Sequence, residues 1–239
     1  MMAGFPYRLE EMRTPAMGLI VLRVDETIES ELRRALPDHE ARLHVTRVDS
    51  GDDLTPQTIA AMERNLGSAA SLLPRAADFD VVAYACTSGT ALIGADRVAQ
   101  RVLSRVPARA VTNPLTAALA RLDHLGLGRI GLVSPYVASV AQPVCAGFAA
   151  HGIEVADTLS FGEESEARVA RIAPASIAEA ARTLAQRSDI EAVFLSCTNL
   201  KTFGLLPALE AELGLPVLSS NSVLAWHMRY LSGLDGPDA

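Results

Sequence analysis

The chain is short of most residues that build covalent or metallic frameworks. Of its 239 residues three are cysteine, an odd number with no Cys-x-x-Cys and no His-x-x-x-His spacing, which argues against a disulfide scaffold and a zinc site. Lysine occurs once, at Lys201, and the net charge is −7 with no basic run, so no nucleic-acid partner is expected. Aromatic residues make up only 5% of the chain, which leaves the core to Ala, Val, Leu and Ile. No stretch of about eighteen apolar residues appears, so no membrane span is expected. The N-terminus carries Arg8, Glu10, Glu11 and Arg13 and lacks a signal-peptide core, which makes a cytoplasmic location the expectation. His39, His44, His124, His151 and His227 form no recognisable triad or metal set. Gly126-Leu127-Gly128 precedes a strand instead of following one, and no Walker loop is present, so no nucleotide fingerprint stands out.

What the chain does have is apolar content, 49%, arranged as short β-branched runs alternating with longer helical ones. That alternation predicts a parallel α/β fold. Strands are expected at Gly18–Arg23, Arg42–Val48, Val81–Ala85, Ala110–Thr112, Arg129–Ser134, Glu154–Ser160, Ala192–Ser196 and Pro216–Ser219. Helices are expected at Thr55–Leu73, with Thr55-Pro56 as cap and first turn, and at Thr90–Ser104, Leu115–Leu125, Val137–Ala150, Pro174–Gln186 and Leu200–Leu213. A last helix containing Trp226 follows Asn221 and is expected to return to the first half. The domains predicted are therefore 1–112 with 221–239, and 113–220.

Two segments say nearly the same thing. Val81-Val82-Ala83-Tyr84-Ala85-Cys86-Thr87-Ser88 and Ala192-Val193-Phe194-Leu195-Ser196-Cys197-Thr198-Asn199 are both apolar runs ending in Cys-Thr, and both precede a segment that reads as helix. Ligands of parallel sheets sit beyond the carboxyl ends of the strands, so Cys86, Ser134 and Cys197 all fall at candidate positions. A lone cysteine there is commonly a small buried hydrophobe; two in matched contexts of a repeat point to an acid and a base on opposite sides of a small substrate. A thiolate at neutral pH needs its pKa brought down from about 8.5, and lowering it by ~1.5 takes ~2 kcal/mol of differential stabilisation. A helix N-terminus gives ~0.3–1 kcal/mol, so hydrogen bonds from Thr87, Ser88 or Thr198 are expected to contribute. Those three residues are alternatively plain helix caps. Asn113, before Pro114, is a cap or a ligand contact; Tyr136 either donates to a substrate carboxylate or packs; Cys145, inside a helix, reads as structural.

These motifs resemble the aspartate/glutamate racemase superfamily, in the branch of the maleate isomerases and arylmalonate decarboxylases. The likeness spans nearly the whole chain and rests on Gly18-Leu19-Ile20-Val21 leading into Asp25-Glu26-Thr27-Ile28-Glu29, on Cys86-Thr87-Ser88-Gly89, Ser134-Pro135-Tyr136, Ser196-Cys197-Thr198-Asn199 and Leu213 to Asn221. Within the branch it also resembles the racemase-like proteins of ectoine utilisation. The resemblance implies two similar α/β domains related by a pseudo-two-fold axis, an active site in the cleft between them, no cofactor, no metal, and a homodimer. It implies Cys86 and Cys197 as catalytic residues, with Asp25, Arg23, Thr87, Ser88, Tyr136, Thr198 and Asn199 around a small carboxylate substrate.

The chain departs from the branch at two places. Leu22-Arg23-Val24-Asp25 stands where the isomerases have Pro-Ser-Ser-Asn, and the loop Gly162-Glu163-Glu164-Ser165-Glu166 is acidic where an asparagine is expected. A carboxylate facing a substrate carboxylate repels it, unless Arg23 compensates or the substrate carries an amine there. The expected activity is therefore racemisation or epimerisation of a small amino acid or N-acyl amino acid. A maleate-type cis–trans isomerisation by thiol addition and a non-catalytic carboxylate binder are the alternatives.

Overall fold

The computed structural model describes residues 4–11, 14–51, 56–187 and 189–235. Eight strands form two parallel four-stranded sheets. In the first, β1 (Ala16–Leu22), β2 (Arg42–Val48), β3 (Phe79–Ala85) and β4 (Ala108–Thr112) lie in the order β2-β1-β3-β4. In the second, β5 (Arg129–Tyr136), β6 (Glu154–Glu163), β7 (Ala192–Leu195) and β8 (Val217–Ser219) lie in the order β6-β5-β7-β8. The permutation is the same in both, so β1 corresponds to β5 and β3 to β7. This is the α/β class of two similar parallel sheets that the alternating pattern predicts.

The helices are α1 (Ile28–Ala35), α2 (Pro56–Ala70), α3 (Thr87–Ile93), α4 (Ala95–Leu103), α5 (Pro114–Leu125), α6 (Ala138–Ala149), α7 (Glu166–Val169), α8 (Pro174–Arg187), α9 (Leu206–Leu213) and α10 (Ser220–Leu231). Side chains alternate along each central strand and feed separate cores. In β1, Ile20 and Leu22 pack outward with Met62 and Leu66 of α2 and Val98 and Val102 of α4. Val133, Val193 and Leu195 of the second sheet pack outward with Ile177, Ala181 and Leu184 of α8. The opposite faces share one core: Leu19, Val21, Val81 and Ala83 belong to the same cluster as Ile130, Leu132 and Phe194, together with residues of α5, α6 and α10.

Three helix expectations need correction. The single helix Thr90–Ser104 is two, α3 and α4, because Gly94 takes φ +92, outside the helical region, and separates them. The helix expected over Leu200–Leu213 covers only its second half as α9, which begins next to Pro207. Helix α1 was not expected, although the Asp25 side chain holds its start from two residues before the N-cap Thr27: Oδ1 accepts the N–H groups of Thr27 (2.8 Å) and Ile28 (2.9 Å). Thr55, the cap expected for α2, lies outside the described residues. The last helix packs against both α5 and β3, with Trp226 under Arg121 and beside His124.

Candidate active site

Corresponding strands place the two sulfurs. Cys86 follows β3 directly and is the N-cap of α3, with extended φ −152 and its Sγ accepting the Gly89 N–H at 3.2 Å. No larger residue fits at Gly89, since a Cβ there would stand 2.6 Å from Tyr84 Oη and 2.9 Å from the sulfur. Cys197 lies two residues beyond β7, and the segment after it is turn, not helix. The expected helix N-terminus is therefore missing at the second thiol. In its place the sulfur has the Asn199 N–H at 3.3 Å and the Tyr136 hydroxyl, at the end of β5, at 3.1 Å.

Two buried carboxylates accompany the thiols. Asp25 follows β1; its Oδ1 is used by α1, whereas Oδ2 is buried with no well-formed hydrogen bond. The Thr198 hydroxyl is near enough to favour the ionised form but donates to the Ala85 carbonyl at 3.4 Å. Glu166, at the start of α7, accepts from Tyr136 Oη (2.7 Å) on one oxygen and from Asn199 Nδ2 (3.1 Å) on the other. Among the described residues no arginine or lysine side chain pairs with either carboxylate. Burial raises both above the ordinary carboxylate range, and the Asp25 charge raises Glu166 further.

The thiols are raised as well, contrary to the expectation of lowered pKa values. Burial is the main cause at each, and the Glu166 charge adds to it. Cys86 is pushed up to about 12, although the Gly89 N–H pulls the other way. Cys197 is pushed up too, against its hydrogen bonds from Tyr136 and Asn199. The groups that hold the sulfurs are thus the Gly89 and Asn199 N–H groups and the Tyr136 phenol, with Tyr84 beside Cys86, and not the hydroxyls of Thr87, Ser88 or Thr198. Each thiol rests protonated until an added positive charge or a proton acceptor alters the balance.

Contacts between the halves bring these groups to one place. The Thr198 hydroxyl, next to Cys197, reaches the carbonyl of Ala85, next to Cys86. Asn199 Oδ1 accepts the Glu26 N–H (2.9 Å), and the Thr27 hydroxyl donates to the Asn199 carbonyl (3.0 Å). Behind them, Glu31 of α1 is buried and accepts the Thr202 and Phe203 N–H groups (2.8 and 3.0 Å) and Asn221 Nδ2 (2.7 Å).

Residues 51–238 match the family described as arylmalonate decarboxylase. The chain belongs to the arylmalonate decarboxylase family. It is 29% identical over 236 residues to the maleate isomerase of Nocardia farcinica, covering 93% of this chain and 91% of that protein. It is 26% identical over 234 residues to the arylmalonate decarboxylase of Bordetella bronchiseptica, covering 94% and 93%. A cysteine-to-serine variant of the Nocardia farcinica maleate cis–trans isomerase, solved with a covalently bound succinylcysteine intermediate, superposes with TM-score 0.79 at 25% identity over 91% of this chain and 92% of that one. The maleate isomerase Iso of Pseudomonas putida superposes with TM-score 0.81 at 22% identity over 91% and 92% of the two chains, a likeness of fold. Its family and its match to maleate isomerases along nearly the whole chain make the protein an isomerase-type enzyme.

In this member of the arylmalonate decarboxylase family, the expected site residues divide in two. Cys86, Cys197, Asp25, Tyr136, Thr198 and Asn199 come together, and Thr87 and Ser88 occupy the buried first turn of α3, Thr87 hydrogen-bonded to Ser220 (2.8 Å). Arg23 does not join them: its Nε pairs with Asp49 at 3.3 Å, half exposed. Arg47 is a cation close to Asp25, donating to the Asp25 backbone carbonyl at 2.9 Å. Asn113 caps α5, accepting the Thr116 N–H at 2.9 Å. Glu166 and Glu31 were missed as site residues. The acidic loop ending at Glu166 was the available signal for the first; nothing local marks Glu31, whose side-chain hydrogen-bond donors lie about 170 or more residues away along the chain.

Proposed function

We propose that the protein is a cofactor-independent, two-cysteine racemase or epimerase of a small amino acid or N-acyl amino acid, with ectoine catabolism the setting that its sequence likeness favours. One observation carries the reading: Asp25 Oδ2 is buried with no well-formed hydrogen bond, only the Thr198 hydroxyl being near it, and the charge of Asp25 raises both thiols. A substrate amine or amide N–H satisfies that oxygen; the two carboxylates of a maleate-like dianion do not. An ammonium group would also lower both thiols by adding positive charge beside them. Cys86 and Cys197 then exchange roles across the α-carbon, one as thiolate removing the proton and the other as thiol supplying one. The first-turn N–H groups of α3, with Thr87 and Ser88, offer donors for the substrate carboxylate and the enolate oxygen. The chain is expected to work in the cytoplasm as a homodimer, which light scattering after size-exclusion checks directly.

The test is hydrogen exchange in D2O over a panel of amino acids, acetylated diamino acids and dicarboxylates. Solvent deuterium should enter the α-position during racemisation, and Cys86→Ser and Cys197→Ser should each abolish the two-way reaction. Racemisation that survives both single substitutions ends the proposal. A second reading, cis–trans isomerisation through thiol addition to a double bond, is favoured by the succinylcysteine captured in the Nocardia farcinica isomerase. It calls for a thioether adduct with maleate in the intact-protein mass spectrum, which proton transfer does not produce.

A further inference from the structure

Tyr136 has one proton to give and two acceptors within reach. Its hydroxyl is 2.7 Å from Glu166 Oε1 and 3.1 Å from Cys197 Sγ. While Glu166 is ionised, the phenol proton belongs to the carboxylate, the shorter and charge-assisted contact. The sulfur is then a thiol donating S–H to the phenol oxygen. The same three atoms fit a second arrangement. The thiol proton moves to Tyr136 Oη while the phenol proton moves to Glu166 Oε1, leaving a thiolate that accepts the Tyr136 O–H and a neutral carboxyl. One S–H and one O–H bond break, two O–H bonds form, and the net charge stays the same.

We infer that Glu166 is a positioning residue that takes up the Cys197 proton through Tyr136, so that carboxyl and thiol share a proton and act as a single acid–base unit. The inference rests on the reading of Cys197 as an acid–base group. The surroundings support it. Asn199 Nδ2 donates both to Glu166 Oε2 (3.1 Å) and to the Glu166 carbonyl (3.2 Å), which fixes the carboxyl toward Tyr136. The titratable groups facing it are Asp25 from the loop after β1, Cys86 from the end of β3, Tyr136 from β5 and Cys197 from the loop after β7. Its neighbours Arg168 and Arg171 are exposed and turn away, to Glu163 and Glu26 (both 2.8 Å). Ionising Cys197 with Glu166 still charged would place a new anion among two buried carboxylates; transfer along Tyr136 adds none. Burial raises the proton affinity of Glu166, as it does that of Cys197.

The experiment is alkylation of Cys197 by iodoacetamide, located by peptide mass spectrometry and followed from about pH 5 to about pH 10. A shared proton gives two macroscopic steps, with a thiolate-dependent plateau through neutrality. Glu166→Gln and Tyr136→Phe should both erase that plateau and slow alkylation near neutral pH by about tenfold or more. If the carboxylate only repels the thiolate, Glu166→Gln will instead speed the reaction. If it only braces Tyr136, Gln will accept the same hydrogen bond and leave the curve in place. Either result, or a single-step curve in the unsubstituted enzyme, overturns the inference. Tyr136→Phe keeps the carboxylate and cuts the connection, so it answers if Glu166→Gln fails to fold. No turnover is needed, so failure of the proposed racemase activity would leave this result interpretable.

Discussion

In the proposed function the choice of substrate falls to one residue, Asp25. Its Oδ1 is bound to the start of α1, and its Oδ2 is buried with no well-formed hydrogen bond, the Thr198 hydroxyl lying near it. Burial raises its pKa, so the folded chain holds that proton more tightly than the unfolded one. The sign follows: this group's contribution to stability is present below the unfolded pKa and lost as pH rises through the folded one. Asp25→Asn keeps an acceptor for the two N–H groups and removes the buried charge. It should raise Tm at neutral pH by a few degrees, since about 1 kcal/mol corresponds to ~2–4 °C at this chain length, and the gain should vanish in thermal scans at acidic pH. The same variant should lose turnover of amine-bearing substrates and tolerate dicarboxylates better, as read from kcat/KM. Cys145, half-buried with Thr158 Oγ1 at 3.7 Å as its contact, lies outside this chemistry, and Cys145→Ser should keep full activity.

Elements rather than residues determine where the second thiol sits. Cys86 has a helix to cap; Cys197 stands in a turn-rich segment that other elements must hold. Glu31 of α1 does so by accepting the Thr202 and Phe203 N–H groups and Asn221 Nδ2. Glu31→Ala would leave several buried donors unsatisfied, at ~1–3 kcal/mol each. Urea denaturation should register a loss of about 3 kcal/mol or more, and kcat should fall with it because Asn199 and Cys197 shift. An unchanged midpoint would mean the loop is held elsewhere. Gly89→Ala should be comparably damaging to α3, because its Cβ would press on Tyr84 Oη and the Cys86 sulfur. The strands were legible in the sequence because β-branched runs flanked by turn residues are local signals. Helix ends at Gly94 and Leu206 were less so, and α1 was hidden because Asp25, whose carboxylate accepts its first N–H groups, reads equally as a ligand contact. The Glu31 contacts were invisible, since nothing local encodes a partner so far away along the chain.

At the scale of the whole molecule, duplication does the work. The repeated strand order makes the ends of β1 and β5, and of β3 and β7, equivalent, so that Asp25 and Tyr136 stand beside the two cysteines in related places. The repeat of the Cys-Thr motif made this pairing readable from sequence, whereas Glu166 became visible only once Tyr136 and Cys197 were seen to share a hydroxyl. Because the inner faces of both sheets and α10 contribute to one core, the halves should unfold together. A single denaturant transition, coincident by fluorescence and circular dichroism, is expected; two separated transitions would mean independent domains.

All of this requires that Cys86 and Cys197 open onto one space small enough for a single metabolite to touch both. Dibromobimane, which becomes fluorescent when both of its arms have alkylated thiols, measures that directly in the Cys145→Ser protein. One fluorescent bridge per chain, mapped by mass spectrometry to Cys86 and Cys197, is the predicted result. Two separate, non-fluorescent single adducts on a folded protein would contradict it.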